Sequence, residues 1–195
     1  MRFLLLLTTV VSSSLSAEST VTQEAKQLFK ENCTACHLED GYGLKSMNVA
    51  SIAGLPRWYV TQQLRHFRDG KRGAHPEDKE GKMMQSMTQV LDDKKVAFLG
   101  KHVQSMKPLE KRQTLKGGNV DKGKALYKSD CASCHGDLGE GKRSEAAPPL
   151  NVQIDWYMHN QMTKFNKGIR SHEGGKNVSE DQMKDLSAYL TTLKN

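Results

Sequence analysis

Two pentapeptides hold all four cysteines of this 195-residue chain: Cys33-Thr-Ala-Cys36-His37 and Cys131-Ala-Ser-Cys134-His135. A pair of thiols followed at once by an imidazole suits one particular chemistry. Both thiols add to the two vinyl groups along one edge of a porphyrin, and the imidazole binds the iron from beneath. Cys33, Cys36, Cys131 and Cys134 would then be thioether links to two c-type haems, with His37 and His135 as the proximal ligands. A redox dithiol would need a βαβ setting, which the pattern lacks. A structural zinc could draw four thiolates from the two pentapeptides, but it leaves the histidine after each pair without a role.

The rest of the chain narrows the setting. Residues 1–17, MRFLLLLTTVVSSSLSA, have a basic Arg2, an apolar run from Phe3 to Val11 and small residues ending at Ala17. This is the form of a cleaved secretory signal peptide, with a retained N-terminal anchor as the rival. The run is too short to span a bilayer as a helix. Export with no cysteine left for a disulfide framework points to the periplasm. The formal net charge is +7, spread over scattered Lys and Arg rather than a long basic run or an aromatic-interleaved patch, which argues against nucleic acid as a partner. Without Arg2 the charge is +6, and the four propionates of two haems would reduce it to roughly +2, leaving only weak steering toward acidic partners.

The chain is a tandem duplication. Cys33 and Cys131 are 98 residues apart, and the same offset pairs RWYVTQQLRHFRDGKR with DWYMHNQMTKFNKGIR. Further on, Leu91-Asp92-Asp93 pairs with Val178-Ser179-Glu180 at an offset of 87, so eleven residues are missing from the second copy between Arg170 and Val178. In each copy the periodicity predicts a helix before the Cys pair (22–32; 121–129), a Gly-rich loop, a middle helix (58–70; 156–168) and a last helix (92–104; 179–193). Gly70 and Gly168 suit C-terminal caps, and Asp92 and Ser179 suit N-caps. Little β-branched alternation appears, so the expected fold is all-α. The expected domains are residues 18–107 and 120–195, joined by a polar linker over 108–119. Units of this size have marginal cores that a large apolar cofactor would help to complete.

With CTACH, CASCH, SIAG, PPL, the two WY helices and the closing LSAYL in view, the chain resembles the two-domain, two-haem class I cytochromes c, in particular the cytochrome c-four group. The resemblance implies two covalently haem-bearing domains related by a pseudo-two-fold. It also implies a methionine as sixth iron ligand, seven residues before the apolar residue that opens each final helix. In the first copy that residue is Met84. Met83 and Met87 would pack at the haem edge, and His75 is the rival ligand. In the second copy the position is Ser171, and no methionine lies between Gly168 and Val178. His172 is the one good iron ligand in that shortened loop, with Met158, His159 and Met162 on the middle helix as fallbacks. Pro148 matches the proline that positions the proximal imidazole in this family. The first copy has Ala50 there, which suggests a looser setting for His37. His102 and His66 read as half-buried structural histidines.

The expected function is electron transfer between respiratory redox proteins, reductases, oxidases or other cytochromes, with docking on a membrane complex compatible with it. Imidazole in place of methionine should lower the second haem's potential below that of the first. The alternative is a haem enzyme acting on peroxide, nitrite or a sulfur compound at an open or labile second haem.

Overall fold

The computed structural model describes residues 12–110 and 113–194. Its elements follow the repeat. The first half contains α1 (Ser12–Asn32), the single turn α2 (Thr34–His37), α3 (Arg57–Arg68), α4 (Lys79–Thr88) and α5 (Asp93–Ser105). The second contains α6 (Val120–Asp130), the turn α7 (Ala132–His135), α8 (Asp155–Asn166) and α9 (Glu180–Leu190). Among the described residues there is no β-strand. Two isolated bridges, Leu44 with Val49 and Lys142 with Ala147, close equivalent loops after each Cys pair.

Each half is built on a crossing of its first and last helices, α1 on α5 and α6 on α9. An aromatic pair sits at each crossing: Phe29 with His102 at 5.1 Å and Tyr127 with Tyr189 at 5.5 Å. His102 thus takes an aromatic place and is half-buried, as expected. Around these pairs lie two cores, one including Leu55, Val60, Val96, Leu99 and Val103, the other including Met158, Leu186, Leu190 and Leu193. Val152 of the second half belongs to the first core, so the two halves share apolar burial.

The helix ends obey local chemistry. Asp92 and Asn119 accept from the amides of Lys95 and Lys122, and Ser179 forms a full capping box with Gln182. Gly70 and Gly168 follow α3 and α8 with φ of 71° and 67°, a conformation that a side chain disfavours. Two expectations are corrected. Helix α1 begins ten residues earlier than the apolar spacing indicates, because Ser12–Asn32 contains neither Gly nor Pro to stop its propagation. Residues 1–11 of the expected signal peptide lie outside the described residues. Helix α9 ends at Leu190 rather than Leu193, although Leu193 still packs in the core.

The linker is held rather than loose. Asp155, 1% exposed at the start of α8, accepts from the Thr114 amide at 2.5 Å, the Thr114 hydroxyl at 2.9 Å and the Leu115 amide at 2.6 Å. The α6–α9 crossing is equally tight: a Cβ on Gly123 would lie 2.0 Å from the Asp185 carbonyl oxygen. Gly123→Ala must therefore push two backbones apart and should cost about 1–3 kcal/mol. Denaturant unfolding of the haem-loaded protein measures this, and an unchanged midpoint would show that the crossing has slack.

Candidate functional site

Both pentapeptides fold into one helical turn, and both proximal imidazoles are pinned alike. His37 and His135 are 8% exposed. Nδ1 of His37 lies 3.1 Å from the Ala50 carbonyl oxygen, and Nδ1 of His135 lies 2.9 Å from that of Pro148. A carbonyl can only accept, so Nδ1 carries the proton and Nε2 keeps its lone pair for a metal. Burial holds both imidazoles below their ordinary value of 6.5, in the neutral form that a metal requires. Ala50 supplies the same backbone acceptor as Pro148. The looser setting expected for His37 is therefore not found, since the carbonyl and not the proline ring makes the bond.

The thiols do not suit the alternatives. Burial, with Cys36 beside it, pushes Cys33 up to about 11, and burial with Asp130 does the same to Cys131. Thiols held protonated in this way are poor nucleophiles for exchange. Among the described residues no three His, Cys, Asp or Glu side chains gather as an ion site.

The two halves differ on the distal side. In the first half the methionines sit on α4 and not in a loop. Asp78 caps it, its carboxylate accepting from the Gly81 amide at 3.1 Å, and the sequence KEGKMMQSMT is rich in helix formers. Met83 and Met87 are 43% and 44% exposed, whereas Met84 is half-buried. His75 instead accepts from the Glu77 amide at 3.2 Å. The eleven missing residues therefore remove a whole helix from the second half.

In its place residues 171–178 form a short loop, in which His172 stacks on Phe165 at 4.5 Å and 18°. Its ring lies near that of His135, the centroids 6.1 Å apart and the planes tilted by 36°. This separation would leave room for a metal ion between two imidazole nitrogens. A Cβ on Gly175 would lie 2.0 Å from His172 Nδ1, so only glycine lets this loop turn under the ring. Burial, then His135 and Arg170, keep His172 below its ordinary value and so neutral. The fallback residues are otherwise engaged: Met158 is core, Met162 packs against it, and His159 meets Glu180 at 3.0 Å.

Sequence reasoning missed the junction between the halves. Arg72 donates to Tyr157 at 3.2 Å and to Gln63 at 2.7 Å, while Arg170 donates to Tyr59 at 3.4 Å and to Gln161 at 2.5 Å. All three residue types repeat at the offset of 98, a signal present in the sequence. No carboxylate is among these partners, and Arg72 Nε is buried without any. Burial and the nearby Arg170 push the Arg72 guanidinium below its ordinary value. Burial tends to raise Tyr59, but Arg170 and Arg72 outweigh it and draw the hydroxyl down. A junction this electropositive, with an orphaned N–H, fits the carboxylate groups that haems carry.

A cytochrome c family model matches residues 22–107 and 120–194. The chain belongs to the cytochrome c family. It is 30% identical to cytochrome c4 of Azotobacter vinelandii over 172 residues, covering 82% of this chain and 77% of that protein. Cytochrome c-552 of Acidithiobacillus ferridurans is 28% identical over 197 residues, covering 94% and 83%. The solved cytochrome c4 of Acidithiobacillus ferrooxidans superposes with a TM-score of 0.71 at 29% identity, covering 84% of this chain and 99% of that one. The protein is thus a dihaem, cytochrome c4-like electron-transfer protein with two covalently attached c-type haems, all-α and built of two cytochrome c domains. Among the described residues no helix is long and apolar enough to cross a membrane.

One ion cluster ties the distal helix of the first domain to the second. Lys164 of α8, 8% exposed, reaches Asp78 at 2.6 Å and Glu80 at 2.7 Å. Burial opposes the charge on Lys164, but the two carboxylates outweigh it and raise the amine above its ordinary value of 10.5. Burial likewise tends to raise Glu80, yet bonds from Lys164, its own backbone and Asn48 hold it below 4.5. Lys164→Met leaves two carboxylates without their cation. The loss should be near the low end of about 3–5 kcal/mol, since Glu80 is partly solvated. The Glu80 contribution is complete above pH 4.5 and is lost as pH falls through its lower folded value. The Lys164 contribution is complete below pH 10.5 and is lost above its raised value. The difference in unfolding midpoint between wild type and Lys164→Met should therefore hold across neutral pH and shrink in acid below 4.5. A pH-independent difference would mean that Lys164 acts through packing alone.

Proposed function

We propose that this protein is a periplasmic electron carrier whose two haems are unlike. The first iron is held by His37 and Met84, the second by His135 and His172. Residues 18–107 and 120–195 are the two carrier units, joined by 108–119, after removal of residues 1–17 as a signal peptide. The carrying observation is the opposition of His135 and His172 at 6.1 Å, with Phe165 behind the distal ring.

Each haem, when bound, supplies an iron that takes up and releases one electron. The chain's own residues set how readily this happens. The carbonyls of Ala50 and Pro148 fix the proximal tautomer and make Nε2 the better donor. A thioether from Met84 favours the reduced iron and raises the potential, whereas a second, more basic imidazole favours the oxidised iron and lowers it. Phe165 and Gly175 hold the His172 ring in place without a bond to either nitrogen. An electron arriving at the second domain would then run downhill to the first. The carrier reading is supported over the haem-enzyme reading by the position of His172 beside His135, where it would take the face that a small substrate needs.

A spectroelectrochemical titration followed by EPR should give two potentials, the lower belonging to a bis-imidazole haem. His172→Ala should turn the second haem high-spin and open it to carbon monoxide. His172→Met should raise its potential toward that of the first haem. Met84→Ala should leave the second haem's signals in place while abolishing the methionine signature of the first. A methionine signature on both irons, or an unchanged second haem in His172→Ala, would defeat the assignment.

A further inference from the structure

The junction between the domains has two equivalent seats, and only one is filled by the chain itself. In the filled seat Asp78 and Glu80, at the start of the segment leading to Met84, rest on Lys164 of the other domain. Asn48 of their own domain donates to Glu80 at 3.0 Å. At the offset of 98, Lys164 corresponds to His66 and Asn48 to Ala146. His66 and Ala146 lie together in a cleft of about 390 Å³ formed by α3 of the first domain and the turn at Arg143–Glu145 of the second. This is the place that the second domain's own acidic segment would take if its eleven residues were present.

The cleft also has the charge of a seat for carboxylates. Arg65, Lys71 and Arg143 line it, with Asp69 as the acidic lining residue. Arg65 is engaged by Asp93 at 3.2 Å, and Asp69 by Arg68 at 3.3 Å. Lys71 and Arg143, one from each domain, are exposed and form no ion pair with the described residues. The unspent positive charge therefore comes from both sides of the junction, as the hold on Asp78 and Glu80 does in the filled seat.

We propose that this cleft receives an acidic segment of a redox partner protein, whose carboxylates take the place that Asp78 and Glu80 hold in the equivalent seat. The deletion that shortens the His172 loop thus also opens a docking site beside the second domain. The inference rests on the repeat and on charge, and it does not depend on which residue binds the second iron.

The test uses the haem-loaded full chain and a fluorescein-labelled octapeptide of alternating Glu and Asp. Binding is read by anisotropy at low ionic strength. The double variant Lys71→Glu/Arg143→Glu should bind about tenfold more weakly or worse, whereas Lys124→Glu/Lys128→Glu, an equal charge change on exposed residues of α6 outside the cleft's lining, should weaken binding by less than about twofold. Unchanged haem spectra and unfolding midpoints in all variants establish that the fold is intact. Equal weakening by Lys124→Glu/Lys128→Glu would reduce the effect to net charge and overturn the proposal. Displacement of the peptide by sulfate at matched ionic strength, with similar apparent affinity, would reduce the seat to a small-anion site. Concentration-dependent self-association that the double variant abolishes would assign the seat to a second copy of this chain, which also overturns it.

Discussion

Everything in each domain is arranged around one hydrogen bond, from Nδ1 of the proximal histidine to a backbone carbonyl thirteen residues further on. That bond decides which ring nitrogen is free, and so on which side of the imidazole a metal can sit. To supply it, the chain must leave the CxxCH turn, reverse through a glycine-rich loop closed by an isolated bridge, and return at Ala50 or Pro148. The middle helix starts just beyond. The crossing of first and last helices then closes the far side and excludes water. Burial in turn keeps the imidazole neutral. Two domains with different cores and different distal loops share this arrangement because the acceptor is backbone and survives the change from proline to alanine.

The distal side has no such common constraint, and there the copies diverge. In the first domain a capped helix carries Met84, and the Asp78 that caps it is also gripped by Lys164 of the neighbouring domain. The Met84-bearing helix of one domain thus depends on the other domain for its footing. In the second domain the helix is gone. A stacked aromatic ring and a glycine replace it, and both lie within the same domain. Phe165 also bears Arg170 above its ring, 5.1 Å from the centroid. Arg170 is one of the two guanidiniums at the junction. The Met84-bearing helix and the His172 loop are therefore both coupled to the interface, one by ion pairs and the other by a cation–π contact and a stack.

Much of this was legible in the sequence, for identifiable reasons. The CxxCH pentapeptides fix their own chemistry, the offset of 98 reveals the duplication, and Asp92 and Ser179 announce the last helices as caps. The change of offset from 98 to 87 reveals the shortened loop that holds His172. What escaped was set by contacts between distant residues. A methionine-rich stretch reads as a loop when its cap, Asp78, is half of an ion cluster with a lysine 86 residues away. The linker reads as free because its anchor is Asp155, forty residues on. The Arg–Tyr–Gln sets repeat at the duplication offset, yet the repeat alone cannot say that each arginine reaches the other domain's tyrosine.

The deletion of eleven residues accounts for the asymmetry as one event with three consequences. It removes the segment that carries Met84 in the first copy, so no methionine lies between Gly168 and Val178. It shortens the loop and leaves His172 stacked on Phe165 within the same domain. It also leaves the second domain without a counterpart of Asp78 and Glu80, and Lys71 and Arg143 beside His66 form no ion pair with the described residues. Shortening a closed loop costs little conformational entropy, because that term changes only slowly with length. The second domain could therefore lose its distal helix without losing its fold, since the α6–α9 crossing and the His135 turn never depended on it.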